Sequence, residues 1–184
     1  WQLLFSGKFD KFPGLKYCVV ECGSWWVGDL LWKADVNFGA SWKIKKMSSR
    51  MKGLLTKLPS EYFGDSVFIG ASTMSRYEIR ERHRNGIDAL MWGTDYPHPE
   101  GSWPNTVERL ENDFREVSIE DTRRLLGINA VECYGLDFEG LNAVANRVGP
   151  TPAKLNQDPE LRTSKNALRE ARWWLDEYGC ELQY

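Results

Sequence analysis

Three short stretches of the chain carry an unbroken apolar centre: residues 16–22 (KYCVVEC), 65–71 (DSVFIGA) and 88–94 (DALMWGT). None alternates strictly between apolar and polar, so each reads as a strand covered on both faces, as in a parallel sheet. Between them the apolar positions recur at three and four. Trp26, Leu30, Leu31, Ala34 and Phe38 fall on one face of a helix expected over 25–38. Met51, Leu54, Leu55 and Leu58 mark a second, over 48–57, and the strongly charged stretch 75–84 reads as a third. The order strand–helix–strand–helix–strand predicts an α/β fold with parallel, right-handed crossovers.

Beyond residue 94 the pattern is helical. Pro104 suits a first turn, with Val107, Leu110 and Phe114 following on one face. Ser118-Ile-Glu-Asp121 resembles a capping box opening a helix that Gly127 should end. A short helix over 129–134 stops at Gly135, and Gly149-Pro-Thr-Pro152 is a break. Asp158-Pro159 then opens a last helix carrying Leu161, Leu168, Ala171, Leu175 and Tyr178. The chain thus divides into an α/β part, 1–136, and a helical C-terminal extension, 137–184.

Charge and composition narrow the partners. With 24 Lys+Arg against 26 Asp+Glu the net charge is −2, so no basic field draws nucleic acid. No stretch reaches the roughly 18 apolar residues of a membrane span. The expected partner is a small-molecule substrate. Cys18, Cys22, Cys133 and Cys180 form no C-x-x-C pair, which fits a reduced, cytoplasmic chain. Three parallel strands leave two open edges, and the chain starts at Trp1, so a fragment of a longer protein is expected. Open edges also leave room for a homo-oligomer. The basic residues between 36 and 60 (Lys43, Lys45, Lys46, Arg50, Lys52, Lys57) read as a solvated helix face, and so does Arg80-Glu-Arg-His-Arg84.

The chemistry concentrates in Leu90-Met-Trp-Gly-Thr-Asp-Tyr-Pro-His-Pro-Glu-Gly101. A buried strand delivers a carboxylate, Asp95, at its C-terminal end, where parallel α/β folds build their sites. Pro97 and Pro99 stiffen the loop around His98. An Asp so placed either ligates a metal and handles protons or caps the turn.

Residue for residue, Gly93-Thr-Asp-Tyr-Pro-His98 resembles the end of the eighth strand in the amidohydrolase-related family, metal-dependent hydrolases and decarboxylases that include aminocarboxymuconate semialdehyde decarboxylase. Phe12-Pro-Gly-Leu-Lys16 resembles that family's entry to its sixth strand. Leu125-Leu-Gly-Ile-Asn-Ala130 with Tyr134-Gly-Leu136 resembles its last helix. The resemblance spans about residues 1–137. It implies the C-terminal part of a (β/α)8 TIM barrel, its sixth to eighth strands, since a whole barrel needs roughly 250 residues. The family's first-strand His-x-His and fifth-strand His have no counterpart among the chain's two histidines.

The same resemblance implies a divalent metal, with Zn2+ as the expected ion, held by Asp95, which also moves a proton beside His98. Where the family's sixth strand ends in a metal-binding His, this chain has Glu21. Glu21 is either a substitute ligand or a hydrogen-bonding neighbour. Cys22 reads as a buried small residue before it reads as a soft ligand. Trp25, Trp26 and Trp103 follow strand ends and suit an apolar or aromatic substrate, or else fasten the loops; Ser72 faces the same end. The implied activity is hydrolysis or decarboxylation of a small aromatic or carboxylated molecule. Glu21 also supports a contrary reading, a non-catalytic descendant that lost the metal site.

Overall fold

A computed structural model describes residues 2–41 and 54–155. Three strands, β1 (Tyr17–Val20), β2 (Val67–Ser72) and β3 (Leu90–Gly93), form one parallel sheet in the order β1-β2-β3. Tyr17 pairs with Val67 and Val20 with Gly70; Ile69 pairs with Leu90 and Ser72 with Gly93. The expected parallel order holds. β1 and β3 are shorter than their expected runs, because residues 87–89 wind into a 3-10 turn before β3 and Glu21 turns away after β1, whereas β2 runs on to Ser72.

The helices are α1 (Lys8–Lys11), α2 (Val27–Ser41), α3 (Arg76–Arg80), α4 (Thr106–Asp113), α5 (Ile119–Arg123), α6 (Asn129–Tyr134), α7 (Phe138–Val148) and α8 (Pro152–Leu155). Period-two alternation gives the sheet two faces. Val19, Ile69, Ala71, Leu90 and Trp92 pack with Val27 and Leu31 of α2, Ile79 of α3, and Leu110, Phe114, Val117 and Leu125. This is the helix-covered face. On the other face Cys18, Phe68 and Met91 cluster with Ala130 and Cys133 of α6. Higher on that face Val20 is 55% exposed and Gly70, Ser72 and Gly93 are half-buried. A third cluster ties Leu4 and Phe9 to Ala34, Phe38, Leu55, Tyr62 and Val67 beneath the first crossover.

Several local expectations are corrected. Gly127 does not end α5: a π-helical turn, Arg124–Ile128, carries the chain straight into α6. The reason lies in Asn129, fully buried, whose Nδ2 donates to the carbonyls of Ile87 and Leu90 at 2.7 and 2.6 Å. Seating that amide under β3 requires the extra residue in the turn. Pro104 lies outside α4, whose N-cap is Asn105. Residues 54–57 are not helical, while 42–53, with most of the basic stretch, lie outside the described residues. So does the last helix expected after Asp158. In the charged stretch 75–84 Arg76 and Glu78 are buried, while His83, 63% exposed, pairs with Asp121 at 3.1 Å. The caps at Ser118 and Gly135 (φ 64) form as expected.

Candidate active site at the strand C-terminal ends

Glu21 directly follows β1, Ser72 closes β2 and Asp95 lies two residues past β3, so parallel pairing brings all three to one end of the sheet. The backbone there is strained. Among the described residues the non-glycine positions with left-handed φ are Glu21 (54°), Thr73 (44°) and Asp95 (59°), one behind each strand. For a β-branched Thr this is costly, and such strain gathers where a fold re-aims its side chains. Thr73 is held by its N–H on the Gly93 carbonyl at 2.9 Å and by Arg109 of α4, which donates to its carbonyl at 3.2 Å.

The loop after β3 closes on itself. His98 N–H donates to the Asp95 carbonyl at 2.8 Å, Gly101 N–H to His98 at 3.0 Å and Ser102 N–H to Thr94 at 2.9 Å. A side chain at Gly101 would sit 2.8 to 3.0 Å from the carbonyl oxygens of Thr94, His98 and Asp95, so only glycine lets the loop shut. This presents Asp95, its side chain 18% exposed, beneath an exposed His98. Nδ1 of His98 stands 3.7 Å from Asp95 Oδ2 and 2.6 Å from Oε2 of Glu100. One ligand atom from each of Asp95, His98 and Glu100 lies within 4.8 Å of the others. Two carboxylates and an imidazole are N/O donors of the kind zinc accepts.

Glu100 was not among the expected residues; it sits two past His98 and could have been read as a third donor. Glu21 is exposed and is no part of this group. Trp25 and Trp103 are exposed, and Trp103 meets Tyr96 edge to face at 5.9 Å between ring centroids. Trp26 packs against the helix-side core. Cys22 donates weakly to the Val19 carbonyl at 3.8 Å; burial, then the neighbouring Cys18 and Glu78, push its thiol up, away from the thiolate a metal needs.

Glu78 is the residue that sequence reasoning missed. It is buried and completes a capping box, accepting from Ser75 N–H at 2.9 Å and Ser75 Oγ at 2.7 Å. Its other oxygen accepts from Ser24 N–H and from Ser24 Oγ at 3.1 Å. One carboxylate therefore ties the loop behind β1 to the loop behind β2. Ser75-x-x-Glu78 was the readable signal. Away from this end, a shallow groove of about 730 Å³ is lined by Leu3, Phe12, Pro13 and Leu15 ahead of β1, and it holds none of these groups.

The family profile described as Amidohydrolase matches residues 2–136. The chain belongs to the amidohydrolase family. Its fold matches that of 5-carboxyvanillate decarboxylase LigW from Sphingomonas paucimobilis at TM-score 0.55 and 23% identity, over 74% of this chain and 38% of that one. It also matches an amidohydrolase from Mycobacterium avium subsp. paratuberculosis at TM-score 0.52 and 23% identity, over 71% of this chain and 31% of that one. The chain therefore spans under two-fifths of either neighbour's length. No curated protein matches it in sequence. The shared fold is a partial barrel of three parallel strands with their helices.

Proposed function

We propose that this chain supplies the eighth-strand carboxylate and the substrate-facing loops of a metal-dependent amidohydrolase that hydrolyses or decarboxylates a small aromatic or carboxylated substrate. The observation that carries this reading is Asp95, half-buried at a strand end on a loop held shut by its own backbone, within an amidohydrolase-family chain. The family is generally metal-dependent, and the donor chemistry fits. Asp95, with His98 and Glu100, would hold a divalent ion, zinc by donor preference, and Glu21 is a further carboxylate at the same end. A bound ion supplies Lewis acidity that activates water or polarises a carboxylate.

The chain's own groups do the remainder. In hydrolysis Asp95 accepts a proton from the attacking water and hands it to the departing group; in decarboxylation its protonated carboxyl donates to the carbon that loses CO2. His98, whose Nδ1 faces both Asp95 and Glu100, would hold the ion beside it, which leaves the proton to Asp95. Trp25, Trp103 and Ser72 shape and orient the substrate, with Tyr96 backing Trp103. Trp26 acts on this site through the loop it anchors in the core.

The test is metal analysis of the full-length protein together with assays for release of CO2 from aromatic carboxylates, 5-carboxyvanillate included, and for hydrolysis of small amides and esters. Turnover of either kind with about one bound metal supports the proposal; a metal-free protein inactive on both series defeats it. Glu21→Gln then separates its roles. A ligand loses metal and rate together, whereas a hydrogen-bonding neighbour keeps metal and loses about 10–100-fold in rate. The second reading, a non-catalytic descendant, draws on Glu21 standing exposed and outside the Asp95 group.

A further inference from the structure

Two thiols outside the Asp95 site lie together near the strand starts. Cys18 is the second residue of β1 and clusters on the open face with Phe68, Met91 and Cys133 of α6. The hydroxyl of Tyr134 donates to Cys18 Sγ at 3.6 Å, which holds that sulfur beside the residue next to Cys133. The two thiols themselves stand close enough to hydrogen-bond. Neither is in a disulfide. Of the other cysteines, Cys22 packs on the helix-covered face, so the sheet separates it from this pair, and Cys180 lies outside the described residues.

The two sulfurs differ in access. Cys133 is buried, whereas Cys18 is half-buried. Burial first, and then the neighbouring Cys18, push the Cys133 thiol up to about 11. Cys133 therefore stays protonated at neutral pH, and a small oxidant meets Cys18 first.

We propose that Cys18 and Cys133 form an oxidation site, at which hydrogen peroxide joins them in a disulfide that staples α6 to β1. The chemistry takes two steps. The Cys18 sulfur gives up its proton and attacks one peroxide oxygen; an S–O bond forms, the O–O bond breaks, and the departing hydroxide takes that proton and leaves as water. Cys18 is then a sulfenic acid. The Cys133 sulfur gives up its proton and attacks the sulfur of Cys18; the S–S bond forms, the S–O bond breaks, and a second water leaves. Each sulfur loses one electron, and both peroxide oxygens end in water. A weakly acidic thiol suffices for the second step because its target is already in contact.

Position gives the bond its effect. It closes a loop from β1 to α6 that contains the whole sheet, at the strand starts and away from Asp95. Closing so long a loop restricts the unfolded chain, so the oxidised protein resists unfolding while the Asp95 end is untouched. In a chain otherwise kept reduced, such a bond is transient.

Peroxide treatment of the folded, reduced full-length protein tests this, with the remaining thiols alkylated and the peptides mapped by mass. The peptides carrying Cys18 and Cys133 are joined, lighter than their sum by two hydrogens, and dithiothreitol separates them. The melting midpoint of the oxidised protein rises by about 5 °C or more. In Cys133→Ala the sulfenic acid on Cys18 persists, dimedone captures it, and the midpoint does not rise; Cys22→Ala keeps both the link and the rise. Free alkylation of both cysteines after peroxide, either one joined to another cysteine, or over-oxidation of Cys18 without a link overturns the site. A link that leaves the midpoint unchanged overturns the staple.

Discussion

The two faces of the sheet differ more than any other pair of regions. On the helix-covered face Ile69, Ala71, Leu90 and Phe114 are wholly buried in one continuous cluster. On the other, α6 covers Phe68 and Met91 near the strand starts, while Val20, Gly70, Ser72 and Gly93 stand open or half-open toward the strand ends. Stability is concentrated on the first face. The second face keeps small residues, Gly70, Ser72 and Gly93, toward the strand ends, and beyond those ends the chain turns through Glu21, Thr73 and Asp95.

The sharpest way to break this contrast is to cut one residue from each face. Phe114→Ala leaves a large void in the closed cluster and costs about 3–5 kcal/mol in denaturant unfolding. Val20→Thr on the open face costs within about 0.5 kcal/mol. Equal costs would mean that the open face packs in solution as tightly as the covered one. A smaller effect belongs to the rim. Glu78→Ala strips the acceptor from the Ser24 and Ser75 donors and costs about 1–3 kcal/mol. It should also loosen the loop behind β1, read as faster amide exchange at Ser24; unchanged exchange there would show that the tie does not hold the loop.

The smallest effect is a pH dependence on the covered side. Burial raises the Asp121 carboxyl, but Arg82 at 2.7 Å and then His83 overcome this, so its pKa lies below 3.8. A lowered folded-state value means the ion pair stabilises fully above the unfolded pKa and is lost as pH falls through the folded one. Acid unfolding curves should therefore show stability falling below about pH 4, and Asp121→Asn should flatten that limb. An identical limb in the variant would remove Asp121 from the account.

The sheet was legible because its signals are local. Continuous apolar runs and intervening helical spacing survive in any parallel crossover, and the Gly-Thr-Asp-Tyr-Pro-His stretch named the strand end that matters. What sequence reading missed depends on contacts between distant segments. Gly127 carries a helix-stop signal, but the bonds from Asn129 to the turn before β3 override it. Glu78 lies in a charged stretch, and its partner Ser24 is on the far side of the first crossover, out of reach of any local pattern. Glu100 joins the group around Asp95 because the loop folds back, which Gly101 permits, although its place two residues past His98 was a readable signal.

The central claim is that Asp95 is the chemical residue of this end of the sheet. Asp95→Asn in the full-length protein tests it cleanly, because Asn tolerates the left-handed φ of 59° and keeps the side chain's size. The amide accepts no proton and is a poor ligand. The account predicts a melting temperature within about 2 °C of the parent, reduced metal content, and turnover lowered roughly a thousandfold or more. Full turnover with undiminished metal in that variant would contradict it.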